Sequence, residues 1–564
     1  MVERNWTIEM KKVIVILASA AAIFSASSCA KQLEVAPPND IYDEQIIEIL
    51  NGTDEAKKQL VLNALASPFA KYFNHWGSPM PGGVLAPMTY CYQGIEQARS
   101  LQGNDMVFGL NKNNVNDLAG TSYYEGTAQY TNPDSEANRA HWLGYAYAIN
   151  QANLLLGYMT AEAAKGSASA TDGRIRGLLV RGYSYMCLVE EYCQPYKNAG
   201  DNAAGLPIYT AYNPGQEPVA PSTLGATWKF IINDLSEAAT LAGTNFSNGY
   251  NEMEDFDAGL ANFLLARAYL LTGDWAKVVT TCDKIITSKK YDFIKNENYG
   301  CNPLGADIVL TYSDDGKVTP NEYYPTSNAF TALKTNPEVI FGYKKGSSYN
   351  PCDGSNRAGV KTMLQNPFGT YSGGSTVRID DRLYNKIPAN DIRKNAFYPK
   401  SFMYRFGTSE GATEIPSYSA MKYGATVGLK DGGEAISDKS LVDEVEFCKF
   451  RYSEVILMKA EAQANGGGGD AKATLDELLA ARSIDPAKPV KSTDFSSDIL
   501  EAVKLNWRIE MWGENGREYF NNKRWNVNIN RSDSGIHWAK GLATKWEDMT
   551  LSIPKDETQF NPNY

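Results

Sequence analysis

Apolar positions recur with a helical period over much of the chain, and the places where the period lapses divide it into paired segments. Residues 55–73 carry the first helical pattern. Residues 137–158 and 173–193 make a pair, as do 223–242 and 257–272, and 274–288 follows at once. Late in the chain come 445–465, 470–483 and 497–525. The clearest segment is 257–272, where Leu260, Leu264, Ala268 and Leu271 fall at i, i+4, i+8 and i+11 on one helix face. Thr272-Gly273-Asp274 ends that helix and Trp275 opens the next.

Small residues at Ala261, Ala266 and Ala268, then Tyr269, Gly273-Asp274-Trp275 and Ala276, resemble a tetratricopeptide unit. Residues 445–483 repeat the idea, with Ala460, Ala462 and Ala464 before a Gly466–Gly469 loop and a second helix. Such a pair buries its apolar face only by stacking on neighbouring pairs. The expected fold is therefore mostly α, a tetratricopeptide-like scaffold of helical pairs. Residues 74–136 and 289–440 interrupt it; they are rich in Gly, Pro, Asn, Ser and Tyr and weakly periodic. Long irregular segments on a rigid frame read as binding loops.

The N-terminus carries a different pattern. Lys11 and Lys12 precede Val13 to Phe24, a mostly apolar run too short to span a bilayer, and Ala26-Ser27-Ser28-Cys29 closes it. These residues resemble a bacterial lipobox, with Ala26 where leucine is usual and Ser28 where glycine or alanine is usual. The expectation is a signal peptide over 1–28, with Met10 as an alternative start, and a lipid on Cys29. Ordinary signal-peptidase cleavage leaving a free thiol is the other reading. Residues 29–43, with Pro37-Pro38, read as a tether, and 44–564 as a single domain with parts 44–300 and 301–564.

Composition narrows the chemistry. The formal charge is −11, and removing Glu3, Arg4, Glu9, Lys11 and Lys12 with residues 1–28 leaves −12. No Lys/Arg-rich block is present, which argues against a nucleic-acid partner. Beyond Cys29 lie Cys91, Cys187, Cys193, Cys282, Cys301, Cys352 and Cys448, an odd set without a Cys-x-x-Cys pair. Cys187 and Cys282 fall in apolar helical patterns and read as packed hydrophobes. His75, His141 and His537 are the only histidines, so no cofactor and no metal centre is expected. Asp314-Asp315 lacks an EF-hand pattern and reads as a solvated turn. The 34 tyrosines and 10 tryptophans matter more, because aromatic faces stack on sugar C–H faces.

Several stretches resemble one family. They are the LEVAPPNDI tether, ANRAHWLGYAYAINQANLLL, RGYSYMCLVEEYCQPY, FRYSEVILMKAEAQAN, WRIEMWGENGREYFNNKRW and LSIPKDETQFNPNY. Their order and spacing resemble the SusD/RagB family of Bacteroidetes outer-membrane lipoproteins over essentially the whole chain. Asn521 or Asn522 stands where many members have aspartate before the Arg-Trp pair, and the run from Glu514 to Trp525 is one residue longer than the commonest form. Within that motif Glu510 and Glu514 lie one turn apart with Arg517 beyond, a structural ion-pair pattern. A paired-carboxylate catalyst is the sharper alternative. Arg451 and Glu454 read as the same kind of pair.

The resemblance implies a lipid-anchored protein of the outer membrane, facing the cell exterior. It implies capture of an oligosaccharide and a lid role on a SusC-type TonB-dependent outer-membrane transporter, with no chemistry on the ligand. Peptide capture, as in some relatives, and a surface-anchored hydrolase are the alternatives. The candidate ligand residues lie in the loops: Trp76, Tyr90, Asp105, Tyr123 and Tyr124 in the first, and Tyr323, Tyr324, Tyr349 and Tyr371 in the second.

Overall fold

The structure is a computed structural model. It describes residues 43–73, 96, 99–108, 132–134, 136–213, 215–247, 249–299, 328–330, 332–344, 347, 377–405, 412–420, 422, 446–537, 540–541 and 543–564. The chain divides into two units, residues 1–65 and 66–564. The described part of the first holds helix α1 (Asp43–Asn51) and nearly all of α2 (Glu55–Ala66).

The larger unit is mostly helical. Its frame is α3 (Glu136–Tyr158), α4 (Ala161–Gly166), α5 (Ala168–Tyr192), α6 (Leu224–Ala242), α7 (Ala258–Thr272) and α8 (Trp275–Thr287). It continues in α9 (Tyr452–Ala464), α10 (Ala471–Ala481), α11 (Ile499–Glu510), α12 (Arg517–Arg524) and α13 (Lys555–Phe560). Each helix of the frame packs on the next: α3 on α5, α5 on α6, α6 on α7, α7 on α8, α8 on α9, and α9 on both α10 and α11. This is the stacked-pair scaffold that the periodicity predicts. Polar caps set the helix starts: Ser167, Thr223, Asp257 and Asp470 each accept a hydrogen bond from a backbone N–H three residues on. At the end of α7, Gly273 adopts φ +78°, a left-handed cap that glycine reaches without strain.

The strands are short antiparallel pairs. Among the described residues, β1 (Met106–Phe108) pairs with β5 (Val377–Ile379), and β2 (Ala204–Pro207) with β3 (Pro221–Thr223). The pair β4 (Val339–Tyr343) and β8 (Phe447–Arg451) is central, with Val339 opposite Arg451 and Tyr343 opposite Phe447. Strands β6 (Phe402–Arg405) with β7 (Ala412–Ile415), and β9 (Ile529–Asn530) with β10 (Ala543–Thr544), complete the set. The core gathers where β4 and β8 meet the helices. The Phe73 ring lies 4.9 Å from Tyr183, 5.0 Å from Phe341 and 5.4 Å from Phe256, and Phe263 lies 4.8 Å from Phe450. Cys187 and Cys282 are buried, as their apolar surroundings in the sequence suggest.

Three segments depart from the periodicity. Residues 445–465 are not one helix: 447–451 is a strand, and Arg451 is extended at φ −143° and ψ 160° before α9 begins. Pairing with the fully buried β4 outweighs local helical preference there. Residues 497–525 are two helices, separated by a turn in which Gly513, Asn515 and Gly516 all have positive φ. The 55–73 pattern ends as α-helix at Ala66 and continues as a 3₁₀ turn over Ser67–Phe73, because the backbone before Pro68 disfavours the α conformation. Inside 289–440, the residues 339–343 and 377–379 form buried strands, so this segment also builds core.

Candidate functional site

Helix α3 places Trp142, Ala146, Ile149 and Asn153 at i, i+4, i+7 and i+11, a single face. That face forms one wall of a cleft of about 540 Å³; Tyr185 and Leu188 of α5, Leu206 and Pro207 of β2, the segment after β2, and Glu557 of α13 form the rest. The volume lies within the roughly 300–1,000 Å³ of small-ligand sites. Most of the lining is apolar, with four aromatic rings (Trp142, Tyr147, Tyr185 and Tyr209) among amides.

Buried hydrogen bonds hold the walls in place. The Tyr185 hydroxyl accepts from the Tyr209 N–H at 2.8 Å and donates to the Pro207 carbonyl at 3.2 Å. Burial pushes this phenol well above its ordinary range, so it stays protonated. The Asn153 amide donates to the Tyr209 carbonyl at 3.0 Å and accepts from Arg181 at 2.9 Å. Arg181 is itself held by Asp234 through bonds of 2.7 and 2.9 Å. On the far wall, Trp142 Nε1 donates to Glu557 at 3.2 Å, and Asn561 joins Glu557 to the Val219 carbonyl. The Tyr209 hydroxyl accepts from the Val219 N–H at 3.2 Å, which leaves its own proton free to donate. Among the described residues, the Asn150 and Gln216 carboxamides and the Tyr147 hydroxyl have no intramolecular hydrogen bond. The cleft thus combines fixed rings with uncommitted donors and acceptors, and Glu557 is the one charged side chain lining it among the described residues.

Of the residues singled out from the sequence, Asp105 is described. It is 3% exposed, and Arg508 holds both of its carboxylate oxygens, at 2.6 and 2.8 Å. Its carbonyl accepts from Trp512 Nε1 at 3.0 Å and from the Asp380 N–H at 2.9 Å. Beside it, Glu518 accepts from the Asn104 N–H at 3.0 Å, and burial together with the Asp105 charge raises its carboxyl to about 8. Cys29, Trp76, Tyr90, Tyr123, Tyr124, Tyr323, Tyr324, Tyr349 and Tyr371 lie outside the described residues, as do Asp314 and Asp315. The cleft residues carried weaker signals in the sequence. Asn150 and Asn153 are amides three apart in a mostly apolar stretch of α3, and Tyr209 begins a turn-rich, Tyr-containing run to Gln216.

The carboxylates of the late motif form a buried network. Arg451 donates to Glu338 at 2.8 Å, to Glu510 at 2.6 Å and to Glu514 with two bonds of 2.7 Å. Arg482 donates to Glu338 at 2.6 Å and to Glu510 at 2.9 and 3.2 Å, and Arg393 reaches Glu510 at 3.2 Å and Asp391 at 2.5 Å. Lys422 donates to Glu514 at 2.5 Å. Four cations thus face four carboxylates. Burial alone would raise the Glu510 carboxyl, but Arg482, Arg451 and Arg393 outweigh it and hold it well below the usual carboxylate range. This corrects two pairings read from the sequence. Arg451 does not pair with Glu454, which bonds Arg267 instead, and Arg517 pairs with Glu190 at 3.0 Å, not with Glu514. The cause in both cases is the break in helical geometry, at Arg451 and again between Glu510 and Arg517.

The stacked helical pairs and short strands define a class of helical-repeat proteins that is represented among solved structures. A SusD superfamily protein from Bacteroides thetaiotaomicron is 20% identical, with 90% of this chain and 98% of that one covered and a TM-score of 0.63. A SusD-like carbohydrate-binding protein from Bacteroides vulgatus is 18% identical, with coverage of 90% and 97% and a TM-score of 0.63. A SusD superfamily protein from Parabacteroides distasonis is 16% identical, with coverage of 91% and 98% and a TM-score of 0.60. These likenesses show the fold. No curated protein matches the sequence. The SusD family model matches residues 354–563, and a second model, described as starch-binding associating with outer membrane, matches residues 88–270. The chain belongs to the SusD/RagB family.

Proposed function

We propose that the protein captures oligosaccharide at the outer membrane and passes it to a SusC-type TonB-dependent transporter, on which it sits as a lid. The observation that carries this reading is the match of residues 88–270 to a family described as starch-binding associating with outer membrane, together with the SusD match downstream. A lipid on Cys29 anchors the chain, with the binding face toward the cell exterior. Trp76, Tyr90, Tyr123, Tyr124, Tyr323, Tyr324, Tyr349 and Tyr371 supply the stacking faces of the main glycan site. Asp105 is held by Arg508 and supplies an acceptor at the base of the first segment's described residues. The ligand leaves unchanged; the protein performs no reaction on it.

Affinity gel electrophoresis of the full-length protein against a polysaccharide panel tests this directly. Retardation by one glycan class, lost in Trp76→Ala or Tyr324→Ala, is the expected result. Absence of retardation by every glycan, with binding of peptides instead, overturns sugar capture in favour of peptide uptake. Copurification with a TonB-dependent barrel tests the lid role separately.

A further inference from the structure

We infer that the cleft between α3, α5 and the segment after β2 is a second ligand site, built from none of the loop residues proposed above, and that it takes a short neutral saccharide. The chemistry of its lining leads to this class. Tyr147 and Tyr209 are half-buried and so can offer ring surface, while Tyr185, 1% exposed, backs them. Apolar rings alone would suit any greasy ligand. Here they alternate with the uncommitted carboxamides of Asn150 and Gln216 and the hydroxyls of Tyr147 and Tyr209. A ligand with apolar C–H faces and a rim of hydroxyls satisfies both sets at once, and a hydrocarbon chain would leave the amides unmatched.

Charge decides between neutral and acidic sugars. No cation lines the cleft among the described residues, and the nearby Arg181 is consumed by Asp234 and Asn153. The Glu557 carboxylate stands at one end, bonded to Trp142 and Asn561. It can accept from sugar hydroxyls and repels uronates and sulfated sugars. Preorganisation supports a binding role as well. The bonds from Tyr185, Asn153 and Asn561 fix both walls, so a ligand meets a formed site with little ordering cost.

Isothermal titration of the full-length protein in lipid nanodiscs, with neutral oligosaccharides of two to four residues and with uronate oligomers of the same length, tests the site. Asn150→Ala removes an exposed side chain that has no hydrogen bond among the described residues, so it is expected to leave the fold intact. It and Tyr209→Ala are each expected to weaken neutral-sugar binding about tenfold. Tyr209→Phe keeps the ring and is expected to lose less. Trp76→Ala, in the main glycan site proposed above, is expected to abolish polysaccharide retardation in gels while leaving a neutral-oligosaccharide isotherm that adding Asn150→Ala removes. The inference is overturned if neutral oligomers do not bind, if Asn150→Ala and Tyr209→Ala bind as wild type, or if uronates bind better. Equal loss in Trp76→Ala would also overturn it, by reducing the two sites to one. Polysaccharide retardation that persists when this cleft is silent leaves the main capture reading standing, so the two can fail independently.

Discussion

Replacing Glu510 by alanine takes one carboxylate out of a buried set of four cations and four carboxylates. Arg451, Arg482 and Arg393 all donate to Glu510, at distances from 2.6 to 3.2 Å. None of the three is left bare, since Arg451 keeps Glu338 and Glu514, Arg482 keeps Glu338, and Arg393 keeps Asp391. The cluster nonetheless acquires a net positive charge without access to water. Breaking a buried pair by removing one partner costs about 3–5 kcal/mol. The shared partners argue for the lower end, about 3 kcal/mol, a large part of the 5–15 kcal/mol typical of a folded domain. Urea unfolding followed by tryptophan fluorescence at pH 7 measures it, with Glu162→Ala as a control whose exposed pair with Lys165 contributes little. The carboxyl of Glu510 is held below its ordinary value, so its stabilisation is present above about pH 4.5 and is lost on further acidification. Glu510→Ala is therefore expected to narrow its gap from wild type as the pH falls below that point. A loss under about 1 kcal/mol at pH 7, or a gap that widens in acid, would refute the view that these arginines depend on Glu510.

Glu518 has the opposite sign: its carboxyl is raised to about 8, so its contribution is fully present below about pH 4.5 and is lost as the pH rises through 8. Stability measured from pH 5 to 8 is expected to fall by up to about 1.4 kcal/mol per unit from this group, and Glu518→Gln to flatten that slope. Asp257, raised to about 6 by burial, adds to the same trend. Gly103→Ala would place a Cβ 1.5 Å from Glu518 Oε2, forcing that side chain off the Asn104 N–H; unfolding experiments should show a loss of about 1–3 kcal/mol. Asp257→Ala removes the cap on the Leu260 N–H at the start of α7 and should cost about 1–2 kcal/mol in the same assay.

Helices whose apolar face is set by neighbours in the sequence were legible in advance. The 257–272 pattern gives a helix over Ala258–Thr272, and 223–242 gives Leu224–Ala242. The turns at Gly273 and Gly466–Gly469 were equally plain, because glycine carries the positive φ that each requires. What the sequence hid was decided by distant partners. Phe447–Arg451 reads as the first turn of a helix until Val339–Tyr343 is placed beside it. The cleft was hidden for the same reason: Trp142, Tyr185, Tyr209 and Glu557 come from four separate stretches, and nothing in any one of them announces the others. Asp105 stood out as a loop candidate through the family resemblance, but its partner Arg508 lies 403 residues away, beyond the reach of any local pattern.

Separations of that size have a kinetic meaning. Arg531 bonds the carbonyl of Leu101 across 430 residues, and Asn138 bonds Ser552 across 414. Contacts so remote in sequence form only after large loops close, which makes folding slow. A nascent chain halfway through synthesis lacks the arginines that tie down residues 99–108 and the Ser552 carbonyl that holds the start of α3. Such a chain can stack α3 to α8, but residues 99–108 and the start of α3 stay untethered until the last segment arrives. A fragment ending near residue 300 should accordingly unfold at lower urea than the intact chain, and the intact chain should refold slowly, at a rate that rises as denaturant is diluted.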